Sequence, residues 1–267
     1  MNVIVCIKRV PDTEAHIRIN ETGTDIDNGG VKYIISPYDE FAIEAGLRVK
    51  EKMEGGEVSL LTVATSEAQE TLRNGLAMGA DKATLLRADS YMDGLGTAKA
   101  LAAELRDSDA QLILFGVKAA GSDQQQVGPM VATLLGIPCV TEVSSFEFGE
   151  GVVTCQREIE GGIEVVEADL PAVLTITKGE YEPRYASLKG IMAAKRKPLE
   201  EREAELSQPG LHIERLSEPT TRESGCVLED SPDAVAELVR LLRDCLLYTS
   251  DAADEGLGVD LGGRRII

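Results

Sequence analysis

Residues 111–136 read QLILFGVKAAGSDQQQVGPMVATLLG, and the order of residue types along them decides the fold. Gln111–Phe115 is a short apolar run without polar alternation, the pattern of a strand buried on both faces. Gly116 to Gly128 then forms a loop rich in glycine, glutamine and serine, which leads into a helix around Met130 to Leu135. A buried strand feeding a helix through such a loop is the repeating unit of a parallel sheet covered by helices.

The same unit recurs upstream. Val3–Ile7, Val58–Ala64 and Ala83–Leu86 read as further buried strands, with three amphipathic helices between the strands. Ser36-Pro37-Tyr38-Asp39 offers an N-cap serine, proline at the first helical position and an acid in the first turn. Ser66-Glu67-Ala68-Gln69 and Ser122-Asp123-Gln124-Gln125 repeat the S-x-x-Q capping box, so three helices are expected to begin on serine. Capping accounts for these serines. So does ligand binding, because in an open α/β sheet ligands sit where strand ends feed helix starts.

Outside this repeat the pattern changes. Ile17 to Ile35, with the turn signal Asn28-Gly29-Gly30, reads as a β-hairpin excursion. Beyond Gly136, Val143–Phe148, Val152–Glu158 and Ile163–Ala168 alternate around two glycine turns, which predicts an antiparallel meander packed against the sheet; Leu170–Thr177 adds an apolar run. Residues 178–198 are polar and basic, with Gly179, Pro183 and Gly190 opposing regular structure. Leu199 to Ser231 reads as an extended, weakly structured arm, followed by an amphipathic helix, Ala234 to Arg243, with Val235, Leu238, Val239 and Leu242 on one face. The expected organisation is therefore an α/β domain over 1–198, including a loop at 178–198, and a partner-binding arm and helix over 199–244.

The chain of 267 residues carries 46 acidic against 27 basic side chains, a net charge of −19. Such acidity favours solubility, or docking onto basic protein patches, and repels nucleic acid. The five cysteines include no C-x-x-C pair, and the histidines are only His16 and His212, so neither a structural zinc site nor a disulfide framework is expected. The cysteines read as core residues of a reducing compartment. No leader precedes Val3 and no apolar stretch is long enough to span a bilayer, so a cytoplasmic protein, or a processed matrix protein, is expected.

No G-x-G-x-x-G follows a strand, and no G-x-x-x-x-G-K-[ST], H-E-x-x-H or G-x-S-x-G occurs. What remains is the loop Gly116 to Gly128. Its glycines permit close backbone approach, and Ser122, Gln125 and Gln126 bring donors to a helix N-terminus, so a phosphate cradle and a plain capped helix both fit. Tyr38 could supply a platform for an aromatic ring, or simply pack. Glu158 and Glu164 have no nucleophile or histidine in an obvious relation to them, so no catalytic dyad is read. Tyr185, Leu188, Ile191 and Met192 stand among basic side chains in an acidic protein, the composition of a small docking surface.

The run EPRYASLKGIMAAKRKP at 182–198, preceded by Leu170-Pro171-Ala172-Val173-Leu174-Thr175, resembles the signature of the electron-transfer flavoprotein β-subunit family. Val5 to Asp12, Ser36 to Asp39, Gly75 to Asp81, Gln126 to Pro129 and Arg157 to Gly162 support the resemblance, which covers roughly residues 1–244. It implies a Rossmann-like parallel sheet of the adenine nucleotide hydrolase-like type, paired with an α subunit that holds a redox-active FAD. It also implies AMP in this chain, or a second FAD in electron-bifurcating relatives that use NADH.

Carried over by motif position, the nucleotide would meet Cys6, Ser36, Pro37, Tyr38, Asp39, Thr65, Gly116, Ala119, Ser122, Asp123, Gln125, Gln126 and Val127. Tyr38 would approach the partner's flavin, Glu158 would face the flavin domain, and Leu188 would anchor a docking loop in flavin dehydrogenases such as those oxidising acyl-CoA. Electrons would leave to a quinone-linked acceptor. The segment Gly121-Ser122-Asp123-Gln124 departs from the aspartate run of many relatives. A stand-alone nucleotide sensor of the universal-stress type is the rival from another class, sharing the sheet but needing neither basic loop nor tethered helix.

Cys245 to Asp254, CLLYTSDAAD, is what TGT CTC TTA TAC ACA TCT GAC GCT GCC GAC encodes, a string resembling a transposase adapter used for sequencing libraries. Residues 245–267 are therefore expected not to be natural, and the natural chain to continue differently from about Asp244. The tail's four acids and two arginines contribute only −2 to the net charge, so the charge argument is unaffected.

Overall fold

The computed structural model describes residues 1–53, 55–89, 92–220, 227–228 and 231–244. The tail 245–267, together with Cys226 and Cys245, lies outside the described residues. Two compact units are present, Met1–Ser217 and Glu218–Ile267.

The first unit is built on β1 (Asn2–Cys6), β4 (Glu57–Ala64), β5 (Lys82–Arg87), β6 (Leu112–Gly116) and β10 (Ala172–Ile176), all parallel. They belong to a nine-stranded sheet ordered β11-β5-β4-β1-β6-β10-β7-β8-β9, where β7 is Cys139–Phe148, β8 is Val152–Ile159, β9 is Gly162–Asp169 and β11 is Leu199–Glu203. The two faces of the sheet read directly from the strand period of two. Val3, Val5, Leu112, Leu114, Leu174 and Ile176 point to one core beneath α1 (Pro37–Lys52) and α2 (Ala68–Met78). Cys6, Ile113, Phe115 and Val173 point to the other, beneath α3 (Gly94–Leu105) and α4 (Val127–Leu135).

Strand order reverses between β1 and β6. From β1 the chain proceeds outward to β4 and β5 on one side, while β6 is followed on the other side by β10. The ends of adjacent strands therefore part company there, which opens a crevice at the carboxyl edge of the sheet.

Helix starts differ from the serine pattern. Ser36 does precede α1, with Pro37 at the first position and Asp39 and Glu40 in the first turn, but its hydroxyl makes no cap. That hydroxyl instead accepts from the Ala120 N–H at 3.3 Å. Glu67, not Ser66, is the residue before α2, and the Ser66 hydroxyl donates to Glu201 at 3.1 Å. Ser122 starts no helix, because α4 begins five residues later, at Val127 behind Gln126. Side-chain caps are made by Asp93 on α3, accepting from Gly96 N–H at 2.7 Å, and by Ser187.

The excursion is closed at its base by β2 (Arg9–Pro11) pairing with β3 (Tyr33–Ile35), and an Ile19–Ile26 bridge moves its tip away from Asn28-Gly29-Gly30 to residues 20–25. The meander does not pack on the sheet; β7, β8 and β9 extend it. Residues 178–198 contain a helix, α5 (Leu188–Ala194), because Gly190 is a contact point and not a breaker: a Cβ there would lie 2.4 Å from the Ala77 carbonyl oxygen of α2. The start of the arm is an edge strand, β11, held parallel to β5. Arg87 pairs with Glu203 at 2.5 Å across that edge, so charge pairing does what apolar burial does elsewhere in the sheet.

In the second unit α6 (Ala234–Asp244) matches the expected helix, with Arg240 bridging Glu237 and Asp244 along one face and Val235, Leu238 and Val239 exposed. Among the described residues no helix is long and apolar enough to cross a membrane.

Leu174, fully buried in the inner strand β10, is the sharper probe of this core. Leu174→Ala should lose about 2–5 kcal/mol in urea unfolding, whereas Val165→Ala on the exposed face of β9 should change it by under about 0.5 kcal/mol. Equal losses would contradict the assignment of the sheet's inner strands.

Candidate functional site

The crevice at the β1/β6 reversal is a cleft of about 530 Å³, within the range of small-molecule sites. Its floor is the carboxyl ends of β1, β4 and β6, and its walls are the loop 117–126 and the starts of α3 and α4. Cys6, Asp39, Thr65, Gly116, Ala119, Ser122, Gln125, Gln126 and Val127 meet around it.

Asp39 organises the floor. It is 5% exposed, and its two carboxylate oxygens accept from the Lys8 N–H at 2.7 Å and the Gly116 N–H at 3.0 Å. Burial pushes its pKa up to about 7, against the pull of those two N–H groups and of the Lys8 charge. Gly116 must be glycine for this to happen. An added Cβ would stand 2.5 Å from the Asp39 carboxylate and 2.6 Å from the Tyr38 carbonyl carbon.

The loop above is tightly wound. Ser122 and Asp123 N–H groups both turn back to the Ala119 carbonyl, while Asp123 and Gln125 adopt φ of 46° and 55°. Two non-glycine residues in the left-handed region cost energy that the surroundings must hold in place. The loop is held by Lys118–Asp123 at 2.7 Å, by Ser36 to Ala120, and by the Lys8 ammonium donating to the Ser122 hydroxyl at 3.2 Å. It delivers Val127 and Gly128 to the first turn of α4, whose N–H groups have no intrahelical acceptors.

The carboxylates lining the cleft, Asp39 and Asp93, are both occupied by backbone N–H donors, and Lys8 and Lys118 line it as well. The donor set therefore suits an anion. Asp123 sits outside the lining with its carboxylate on Lys118, Ser36 is buried beneath the loop, and Pro37 lines a separate groove toward β3. The Tyr38 ring turns away to lie 6.2 Å from Phe41, with the Lys118 ammonium 5.8 Å from its centroid.

Several lining residues were not read from the sequence: Lys8, Met92, Asp93, Gly94, Thr97, Thr175 and Ile213. For the α3 start a signal existed, an aspartate just ahead of an alanine- and leucine-rich stretch, but the glycines at 94 and 96 obscured it.

The basic finger lies elsewhere. Arg184 grips buried Glu44 at 2.7 and 3.0 Å and Glu51 at 2.7 Å, tying the finger's start to α1. Burial raises the Glu44 pKa, but the Arg184 and Arg48 guanidiniums outweigh it and hold the carboxyl low. At the other end Arg73 donates to the Ala194 and Lys197 carbonyls, and the Lys197 ammonium to the Leu76 and Ala80 carbonyls. Between these clamps Tyr185 is 98% and Leu188 84% exposed, beside exposed Ile191 and Met192. Glu158 is exposed on β8, opposite Ile163 on β9.

An electron transfer flavoprotein domain model matches residues 24–207. The chain is 40% identical to the electron transfer flavoprotein subunit beta of Bacillus subtilis over 255 residues, 91% of this chain and 98% of the relative. It is 37% identical to the subunit of the same name from Syntrophomonas wolfei over 236 residues, 88% and 93% of the two chains. The mitochondrial counterpart of Arabidopsis thaliana is 35% identical over 244 residues, 89% and 97%.

The raised pKa of Asp39 has a definite sign in stability. With a folded value of about 7 against 3.8 for a free carboxyl, the folded chain holds the extra proton across that window. Stability from this group is therefore greatest at the acid end and falls as pH rises from about 4 to about 7. Asp39→Asn should abolish that slope in urea midpoints measured across the window; parallel profiles for the two chains would refute it.

Proposed function

The chain belongs to the electron transfer flavoprotein β-subunit family, whose members carry electrons, and from that premise we propose that it pairs with an α subunit and holds AMP in the β1/β6 cleft. The observation that carries the nucleotide reading is the donor set of the cleft. Lysines 8 and 118, the Ser122 hydroxyl and the first N–H groups of α4 converge where both lining carboxylates are already bound to backbone. A phosphate is the group such a set recognises, because fixed N–H dipoles and ammonium groups compensate its charge without reorganisation. Apolar Val63, Met92, Leu101 and Phe115 supply the walls a purine needs.

FAD bound in the α subunit supplies the redox chemistry. This chain's contribution is to position and to dock. The finger 184–197 presents Tyr185, Leu188, Ile191 and Met192 to a flavin dehydrogenase, clamped at both ends so that little order is lost on contact. A small apolar anchor ringed by cations suits a partner that must be released after each transfer. Tyr38 and Glu158 are assigned to the side that faces the flavin domain, and the acceptor is assigned as quinone-linked.

Co-expression with the α subunit, followed by acid extraction and chromatography, tests the ligand. One AMP and one FAD per heterodimer are expected; two FAD would replace the carrier by a bifurcating, NADH-using protein, and a stable homodimer indifferent to the α subunit would point to a nucleotide sensor. Leu188→Ala should slow electron transfer from the dehydrogenase by about tenfold, the scale of one lost anchor, with assembly and nucleotide content unchanged. Unchanged turnover would remove the finger's role.

A further inference from the structure

Asp93 makes more contacts than a helix cap requires. Its Oδ1 accepts from the Gly96 N–H at 2.7 Å and thereby caps α3. Its Oδ2 accepts from the Gly210 N–H at 2.7 Å and the Leu211 N–H at 3.1 Å, donors far along the chain in the segment that follows β11. The side chain is 6% exposed and lines the cleft. The Gly96 N–H, with the other two donors, holds its carboxyl below the usual carboxylate range, so the three contacts persist at neutral pH.

Past this latch the segment runs along the cleft. Ile213 lines the cleft itself, and the Leu216 N–H then donates to the Gly23 carbonyl at 2.7 Å, on the tip of the excursion. The segment is thus fixed at two points, the start of α3 and the excursion, with Ile213 against the cleft between them. It buries little of itself, since Leu211 and Ile213 remain exposed. Segments held by a few hydrogen bonds and little apolar burial are the ones that open locally without global unfolding.

We infer that residues 207–216 form a strap across the nucleotide cleft, that Asp93 is the positioning residue that latches it, and that latch opening sets how fast a bound adenylate leaves. The inference rests on the reading of the cleft as an adenylate site. The strap supplies an apolar wall through Ile213 and a barrier to exit through its two anchors. Asp93 acts on the ligand only through the strap.

The test separates latch from cap. Gly210→Pro removes the 2.7 Å donor to Oδ2, next to an existing proline at 209, and leaves the Asp93 contact with α3 in place. Ile213→Ala removes the wall and leaves the latch. The full chain is loaded with radiolabelled AMP and chased with unlabelled AMP, and nucleotide-free chains are unfolded in urea in parallel. Both variants should release AMP roughly tenfold faster, the scale of one hydrogen bond to a charged group for Gly210→Pro and of a truncated apolar contact for Ile213→Ala, with urea midpoints of the nucleotide-free chains lowered by no more than that single contact. Parent-like release from both variants overturns the strap while leaving the adenylate site standing. A parent chain that retains no AMP overturns the adenylate reading and the strap with it.

Discussion

Two backbone N–H groups at the ends of diverging strands converge on one buried carboxylate, and the shape of the cleft follows from that convergence. At the β1/β6 reversal, Lys8 and Gly116 emerge where β1 and β6 have stopped pairing and no longer accept each other's N–H groups. An orphaned donor in a buried site costs on the order of 1–3 kcal/mol, so some acceptor must be found there. Asp39 is the acceptor, carried in by the first turn of α1. Its burial opposes ionisation while its hydrogen bonds favour it, and the balance fixes β1, β6 and α1 to one another. Only then does the loop after Gly116 leave in the direction that brings Ser122 and the start of α4 to the cleft.

Those long-range demands also explain what the sequence concealed. Strands buried on both faces were legible because a run such as Leu112–Phe115 has no solvated side to confuse the pattern. The fold class and the cleft-lining loop followed from that. The serines misled because a hydroxyl near a helix start has more than one acceptor or donor in reach, and the partners here are remote: Ala120 for Ser36, Glu201 for Ser66 and Lys8 for Ser122. Local spacing carries no information about them. The same holds for β11, whose residues Leu-Glu-Glu-Arg-Glu show no apolar alternation and which is drawn to the sheet edge by Arg87 and by Arg202 with Glu104. Gly190 reads locally as a helix breaker and acts tertiarily as the point where α5 touches α2.

Charge sets the character of the proposed docking surface. In a chain of net charge −19, a basic finger would fold back onto the acidic body if its cations were all free to do so. The structure uses some of them for that purpose: Arg184 on Glu44 and Glu51, and Lys197 on helix-end carbonyls. Lys189, Lys195 and Arg196 stay exposed with the apolar tip. Division of the cations into anchors and presenters keeps the finger ordered and, under the docking role proposed for it, leaves charge free to meet an acidic partner.

Helix α1 joins the two surfaces. Asp39 in its first turn holds the cleft floor, and Glu44, about 7.5 Å further along the axis, holds Arg184 at the root of the finger. Both carboxylates are nearly buried, and both are bound to groups of fixed geometry. No hinge lies between them, since the helix is continuous from Pro37 to Lys52. The position of the docking finger relative to the cleft is therefore set by one rigid element, not by the loops that carry the contacts. Electron transfer falls off steeply with distance, and under the docking role proposed for the finger a single stiff strut is the simplest way for an electron-transfer flavoprotein subunit to keep its partner in register with the cleft side.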